Sequence, residues 1–127
     1  MVDVNLKTGY PKVVRIVGAF DCGRAINPLS VLGQVEGAIV QGLGYSVMEE
    51  VCTMDGHILN PNLADYFLYT SVDAPKIETI LVKGYPSSLG PFRAKAMAEP
   101  PIDIVAPAIL RRLRLLSRAL RKLFLKW

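Results

Sequence analysis

Long apolar runs are missing from this chain. No stretch of about 18 uncharged apolar residues occurs, so no helix is expected to cross a membrane. The first ten residues, MVDVNLKTGY, lack the basic-then-apolar order of a secretory signal. Cysteine is scarce. Cys22 and Cys52 stand thirty positions apart, with no CxxC and no paired histidine, which excludes the usual zinc and iron–sulfur spacings. Two reduced thiols in a cytoplasmic protein is the expectation that follows. Internal repeats and low-complexity segments are also absent, and 127 residues are enough for one small domain and not two.

Acidic side chains are missing from one region only. Residues 111–127, RRLRLLSRALRKLFLKW, hold seven of the fifteen basic residues and no Asp or Glu. The remaining 110 residues carry eleven acidic against eight basic side chains, a net charge of −3 beneath the overall +4. The body is therefore mildly acidic and the tail strongly basic, which places a boundary near Leu110: a domain over 1–110 and a tail over 111–127.

What is present is 51% hydrophobic, enough for a packed core. VDVNLKTGYPKVVRIVGAFD alternates around a KTGYP turn and predicts a β-hairpin. Asn27 can cap a helix whose first residue is Pro28; that helix is expected to run towards Glu50, with a break near Gly33. MDGH carries the Asp-Gly hairpin signal. ILNPNLADYFLYT reads as extended and interrupted by Pro61. A strand is expected around Ile77–Val82, then a loop, PSSLGPFRAKAMAEPP, then a helix starting in IDIVAPAIL with Asp103 near its start. Hairpin, helix, strands and helix in this order indicate an α+β fold.

The helix after Pro28 contains GQVEGAIVQGLG, in which four of twelve positions are glycine. Each glycine costs a helix interior about 1 kcal/mol relative to alanine. Gln34, Gly37, Gln41 and Gly44 share one face, while Leu32, Val35 and Ile39 point elsewhere and can meet a core. A face of bare backbone and two carboxamides suits a flat polar heterocycle. The same spacing serves tight packing against another element, with the glutamines solvated. In GPFRAKAMAEPP, Pro100 is expected to hold Glu99 extended. Ala94, Ala96 and Ala98 leave room for something bulky, and Lys95 is close enough in sequence to influence the charge of Glu99. A carboxylate fixed on a stiff loop beside a cavity is a sensible general base; an ordinary solvated Glu in a proline turn reads the same way.

Taken together, DCGRAINP, GQVEGAIVQGLGY with MEE, LNPNLADY, DAP and GPFRAKAMAEPP occur in an order that resembles the xanthine dehydrogenase/aldehyde oxidase family of molybdenum hydroxylases. The likeness is to the C-terminal part of the molybdopterin-binding subunit, from about Val2 to about Leu110. The resemblance implies a fragment of the molybdopterin-binding domain that hydroxylates aldehydes or electron-poor N-heterocycles with oxygen from water. It implies a molybdenum–pyranopterin cofactor, with or without a cytosine dinucleotide tail, and no covalent protein ligand to the metal. It assigns Glu99 as general base and puts Gln34, Gly37, Gln41, Ala94, Lys95 and Ala96 against the cofactor. It also implies [2Fe–2S] clusters and FAD on other domains or subunits. Activity is then expected only together with the remaining molybdopterin-binding segments. Arg93, Ala96 and Ala98 stand where the family has glycine usually or often, and Tyr69 where it usually has proline.

The tail departs from the family after APAIL. Leu113, Leu116, Leu120, Leu123 and Trp127 form one stripe with Phe124 beside it, and Arg112, Arg114, Arg118, Arg121 and Lys122 fill other faces. This basic amphipathic pattern fits a membrane surface or a calmodulin-like target helix. Nucleic acid fits less well, because interleaved aromatics are absent. A helix that docks a partner subunit is a further account, and an Arg/Leu-rich string also arises when a GC-rich region is translated in a shifted frame. The function classes open at this point are part of an enzyme, a small subunit of a split enzyme, and a non-catalytic remnant whose tail binds a partner or membrane.

Overall fold

The computed structural model describes residues 1–124, with side-chain environments through residue 118. The expected hairpin forms, but it is shorter than the alternation suggests. β1 (Val2–Val4) pairs antiparallel with β2 (Pro11–Val13), Val2 opposite Val13. Asn5 Oδ1 accepts from the amide of Lys7 at 2.9 Å, and Gly9 takes φ 76° to close the turn. At the far end Val14 and Arg15 both donate to the carbonyl of Met1, at 3.0 and 3.4 Å. Two residues against one make a β-bulge, which turns the strand out of the ladder. The chain beyond it, β3 (Arg15–Phe20), pairs in parallel with β6 (Lys76–Leu81), Ile16 opposite Ile77 and Phe20 opposite Leu81. Alternation marked the strands correctly; it carries no information about their partners.

α1 spans Pro28–Val47. Asn27 Oδ1 accepts from the amide of Ser30 at 3.2 Å, the expected cap. The expected break at Gly33 is absent. Val35, Ile39 and Leu43 are fully buried on the opposite side, and packing along that stripe holds a helix whose propensity is poor. β4 (Thr53–Met54) and β5 (His57–Ile58) form the Asp-Gly hairpin, with Asp55 at φ 49° and Gly56 at φ 80°. Residues 59–70 are not the extended segment expected. The amides of Asp65 and Tyr66 donate to the carbonyl of Asn62, at 3.0 and 2.9 Å, and make a turn just past Pro61.

The last helical region begins earlier than expected, as a single turn α2 (Pro100–Asp103), and continues as α3 (Val105–Phe124) after a kink at Ile104. Pro107 has no N–H to send back towards Asp103, so the ladder is interrupted there. α3 passes residue 110 without a break. Its Leu113 packs on the core and Leu116 is half-buried. The side chains of Leu120, Arg121, Lys122, Leu123 and Phe124, and all of Trp127, lie outside the described residues.

Val13, Phe20, Val35, Ile39, Leu43, Val105 and Ile109 form one buried cluster. α1 sits at its centre and touches β6, α2 and α3. The result is the mixed α+β layer expected from the order of elements.

Candidate functional site

Most of the amide face of α1 is open. Gln34, Gly37 and Gln41 are exposed. A Cβ built on Gly33 or Gly37 would meet nothing within 4 Å. Beside them lies a groove of about 650 Å³, lined by Gly33, Glu36 and Gly37 on the helix and by Tyr69, Thr70 and Pro75 across from it. Gln41 Nε2 donates to Tyr45 Oη at 2.6 Å, one turn along the helix. Gly44 does not belong to this open face. It is buried, and a Cβ there would strike the carboxylate of Glu49. Glu49 folds back over the end of the helix and covers Gly44, and there Tyr66 Oη donates to Glu49 Oε2 at 2.6 Å. That hydrogen bond raises the Tyr66 hydroxyl above its ordinary pKa. It also joins MEE to LADY, a pairing that no local sequence signal announces.

The loop PFRAK is stitched to DCGR, some seventy residues away in the chain. The Arg24 amide donates to the Arg93 carbonyl at 3.1 Å, the Lys95 amide to the Cys22 carbonyl at 2.9 Å, and Gly23 bridges Ala94. Gly23 has φ 62°, and a Cβ on it would lie 2.5 Å from the Arg93 carbonyl oxygen. Only glycine fits there, for both reasons. Lys95 Nζ donates to Asp21 Oδ2 at 2.6 Å, and the Gly23 amide donates to Asp21 Oδ1 at 2.9 Å. The Lys95 hydrogen bond, then the Gly23 amide, holds the Asp21 carboxyl below its ordinary pKa. Lys95 is therefore Asp21's partner, correcting the expectation that it acts on Glu99. Phe92 and Arg93 carry φ 50° and 68°, a region costly for residues with a Cβ. Ala94 is half-buried and Ala96 exposed.

Glu99 is exposed and stands at the start of α2. Its backbone is helical, φ −79° and ψ −42°, not extended as Pro100 led us to expect. The amides of Ile102 and Asp103 both donate to its carbonyl, at 2.8 and 3.3 Å, and this offsets the crowding before proline. α2 itself is seated on α1. A Cβ on Gly42 would lie 2.9 Å from the Ile102 carbonyl oxygen and from Val105 Cγ2. The turn that starts at Glu99 thus packs one residue along from Gln41. Among the described residues no cluster of three or more His, Cys, Asp or Glu could hold a metal ion.

Residues 1–75 match the molybdopterin cofactor-binding domain family, so the chain belongs to the molybdenum hydroxylases of the xanthine dehydrogenase/aldehyde oxidase type. It is 37% identical over 113 residues to the putative xanthine dehydrogenase molybdenum-binding subunit of Escherichia coli K12, covering 85% of this chain and 15% of that protein. It is 36% identical over 129 residues to aldehyde oxidase 4 of Arabidopsis thaliana, covering 99% of this chain and 10% of that protein. Among solved structures it is similar to quinoline 2-oxidoreductase from Pseudomonas putida 86, with a TM-score of 0.77 at 35% identity over 86% of this chain and 14% of that one. The chain thus spans between a tenth and a sixth of the length of these relatives. Its own geometry fits a flat heterocyclic cofactor: an exposed pair of amides, two glycines with open space above them, and a groove alongside.

Proposed function

We propose that this chain supplies one wall of the pterin site, and the general base, of a molybdenum hydroxylase that oxidises an aldehyde or an electron-poor N-heterocycle with oxygen from water. The assembly includes the remaining molybdopterin-binding segments and, on other domains or subunits, [2Fe–2S] and flavin groups, in the cytoplasm. When bound, the molybdenum–pterin group, with or without a cytosine dinucleotide tail, activates water and takes up two electrons. The residues of this chain bind, orient and move a proton. The Gln34 and Gln41 amides offer donors and acceptors to the pterin edge, and Gly37 admits its ring to close approach. Ala94, Lys95 and Ala96 line the flank, with Lys95 held in place by Asp21. The Glu99 carboxylate takes the proton from the activated water and returns it to solvent.

The observation that supports this reading most directly is that DCGR holds PFRAK while α2 packs over Gly42. Lys95 closes the first anchor, and the segment between the two carries Ala96 and Glu99. The test is co-expression with the remaining molybdopterin-binding segments. Glu99→Gln keeps shape and removes the base, so turnover is expected to fall about 10²- to 10⁴-fold with molybdenum content unchanged. Loss of metal together with turnover would make Glu99 structural, and full turnover would end its candidacy. The isolated chain is expected to bind no molybdenum and to oxidise neither aldehyde nor purine.

A further inference from the structure

The short turn that precedes Ala94 is strained and yet firmly held. Phe92 and Arg93 are both left-handed, with φ 50° and 68°, and neither is glycine. Such residues are uncommon singly and costly in succession, because each Cβ crowds a carbonyl oxygen. Backbone hydrogen bonds fix them on every side. The Arg93 amide donates to the Gly90 carbonyl at 3.1 Å, and the Ala94 amide to the Pro91 carbonyl at 3.0 Å. The Arg93 carbonyl accepts from the amides of Arg24 and Ser87, each at 3.1 Å. The conformation is thus over-determined, and glycine would adopt it freely.

The Arg93 side chain offsets none of that strain within the chain. It is exposed and has no acidic partner among the described residues. Asp21, the carboxylate tied to this loop, is already taken by Lys95 Nζ and the Gly23 amide. Arg24, whose amide binds the Arg93 carbonyl, is exposed as well and equally without an acidic partner among the described residues. The loop therefore carries unbalanced positive charge at a strained position, the combination found where strain serves a ligand. The position is also close to the proposed base. Glu99 follows six positions later, so the two Cα atoms lie no more than about 22 Å apart. The helical backbone at Glu99 shortens that span.

We propose that Arg93 selects the substrate: an aldehyde or N-heterocycle that also carries a carboxylate. The inference rests on the reading of Glu99 as the base of a molybdenum hydroxylase. The Arg93 guanidinium holds the carboxylate through two parallel N–H···O bonds, the geometry that a planar fork provides and an ammonium does not. The reacting end of the substrate is then turned towards Glu99. Arg24 adds a second positive charge that draws the anion in. Arg93 itself moves no proton.

The experiment uses the chain co-expressed with the remaining molybdopterin-binding segments. Turnover is measured on two matched pairs, para-formylbenzoate against para-formylbenzamide and a pyridine carboxylate against its carboxamide. Within a pair the shape is shared and the charge differs. In the parent assembly the acid of at least one pair is expected to exceed its amide in kcat/KM by about 10- to 100-fold, the worth of hydrogen bonds to a charged group. Arg93→Gly is expected to bring that ratio to about one, chiefly through KM. Arg93→Asn is expected to do the same with a side chain that tolerates the left-handed backbone, so the outcome does not hang on one variant. Arg93→Lys keeps the charge without the fork and should give an intermediate ratio. Calorimetric binding of terephthalate to the parent assembly should weaken in Arg93→Gly by the same factor. Equal kcat/KM for acid and amide in the parent assembly overturns the proposal, as does an equal loss on both in the variants. Loss of molybdenum from Arg93→Gly also overturns it and assigns the guanidinium to an anionic group of the cofactor. The two readings fail differently. Glu99-dependent turnover with no preference for the acids sinks the role of Arg93 alone. Arg93-dependent terephthalate binding in an assembly devoid of molybdenum and turnover sinks the hydroxylase reading and keeps the carboxylate site.

Discussion

Arg93 sits at φ 68° with an exposed side chain. A left-handed conformation costs a residue with a Cβ about 1–2 kcal/mol, and glycine nothing comparable. Arg93→Gly is therefore expected to leave the fold intact and raise stability by up to about 1 kcal/mol, read as a higher urea midpoint. Asp21 offers a pH test. Its pKa in the fold lies below the ordinary 3.8, chiefly through the Lys95 hydrogen bond. A depressed carboxyl stabilises the fold above its unfolded pKa, and that contribution disappears as pH falls through the folded value. Asp21→Asn should thus be less stable than the parent chain at pH 7, with the gap closing below 3.8. Denaturant titrations at pH 7 and at about pH 2.5 measure both ends. A gap that persists undiminished in acid would mean that the charge pairing with Lys95 adds nothing to the backbone hydrogen bonds that hold DCGR to PFRAK.

At the scale of elements, the glycines of α1 separate into two kinds. Gly37 faces open space, whereas a Cβ at Gly42 would press on the Ile102 carbonyl and on Val105 at 2.9 Å. Gly37→Ala is expected to stabilise the isolated chain by about 0.5–1 kcal/mol through helix propensity. Gly42→Ala is expected to destabilise it by about 1–3 kcal/mol, because α2 cannot move off α1 without disturbing Val105. Thermal or urea unfolding of the two variants side by side gives opposite signs. If the open face is the pterin wall, Gly37→Ala also lowers molybdenum content in the co-expressed assembly. A stability gain with full loading would remove Gly37 from the proposed wall.

At the scale of the whole molecule, the question is whether residues 111–127 are separable. Val105 and Ile109 anchor α3 in the core before that point, and Leu113 adds a partial contact after it. We expect the chain ending at Leu110 to keep the secondary structure of the body, measured by circular dichroism, while its net charge changes from +4 to −3. If the tail serves at a membrane surface, the full chain should bind anionic vesicles and the shortened one should not. Binding should weaken as salt rises, since charge attraction at a surface is screened over about 10 Å at 0.1 M. Binding that survives high salt, or that persists after truncation, would locate the affinity in the body.

Much of the outline could be read locally. Asn27 and Pro28 announced a helix start, Asp55 and Gly56 a hairpin, and the apolar run at Ile77 a strand, because capping, turn chemistry and period are properties of neighbouring residues. That Gln34, Gly37 and Gln41 share a face followed from helical period alone; that the face is open did not. Glu99 was singled out by the wording of its motif, but its helical backbone was not foreseen, because the amides of Ile102 and Asp103 outweigh a dipeptide preference. Gly44 looked identical to Gly37 until Glu49 and Tyr66 closed over it. Lys95 was assigned to the wrong carboxylate, since Asp21 lies far away in the chain and only the fold brings it near. Likewise the bulge at Met1 decides that β3 leaves its hairpin for β6 and keeps one edge free. Sequence by itself determined the order of the main elements and which family they belong to. Tertiary structure alone decided which strands pair, which glycines are covered and which charges meet, because those outcomes depend on contacts between residues that no short window of sequence contains.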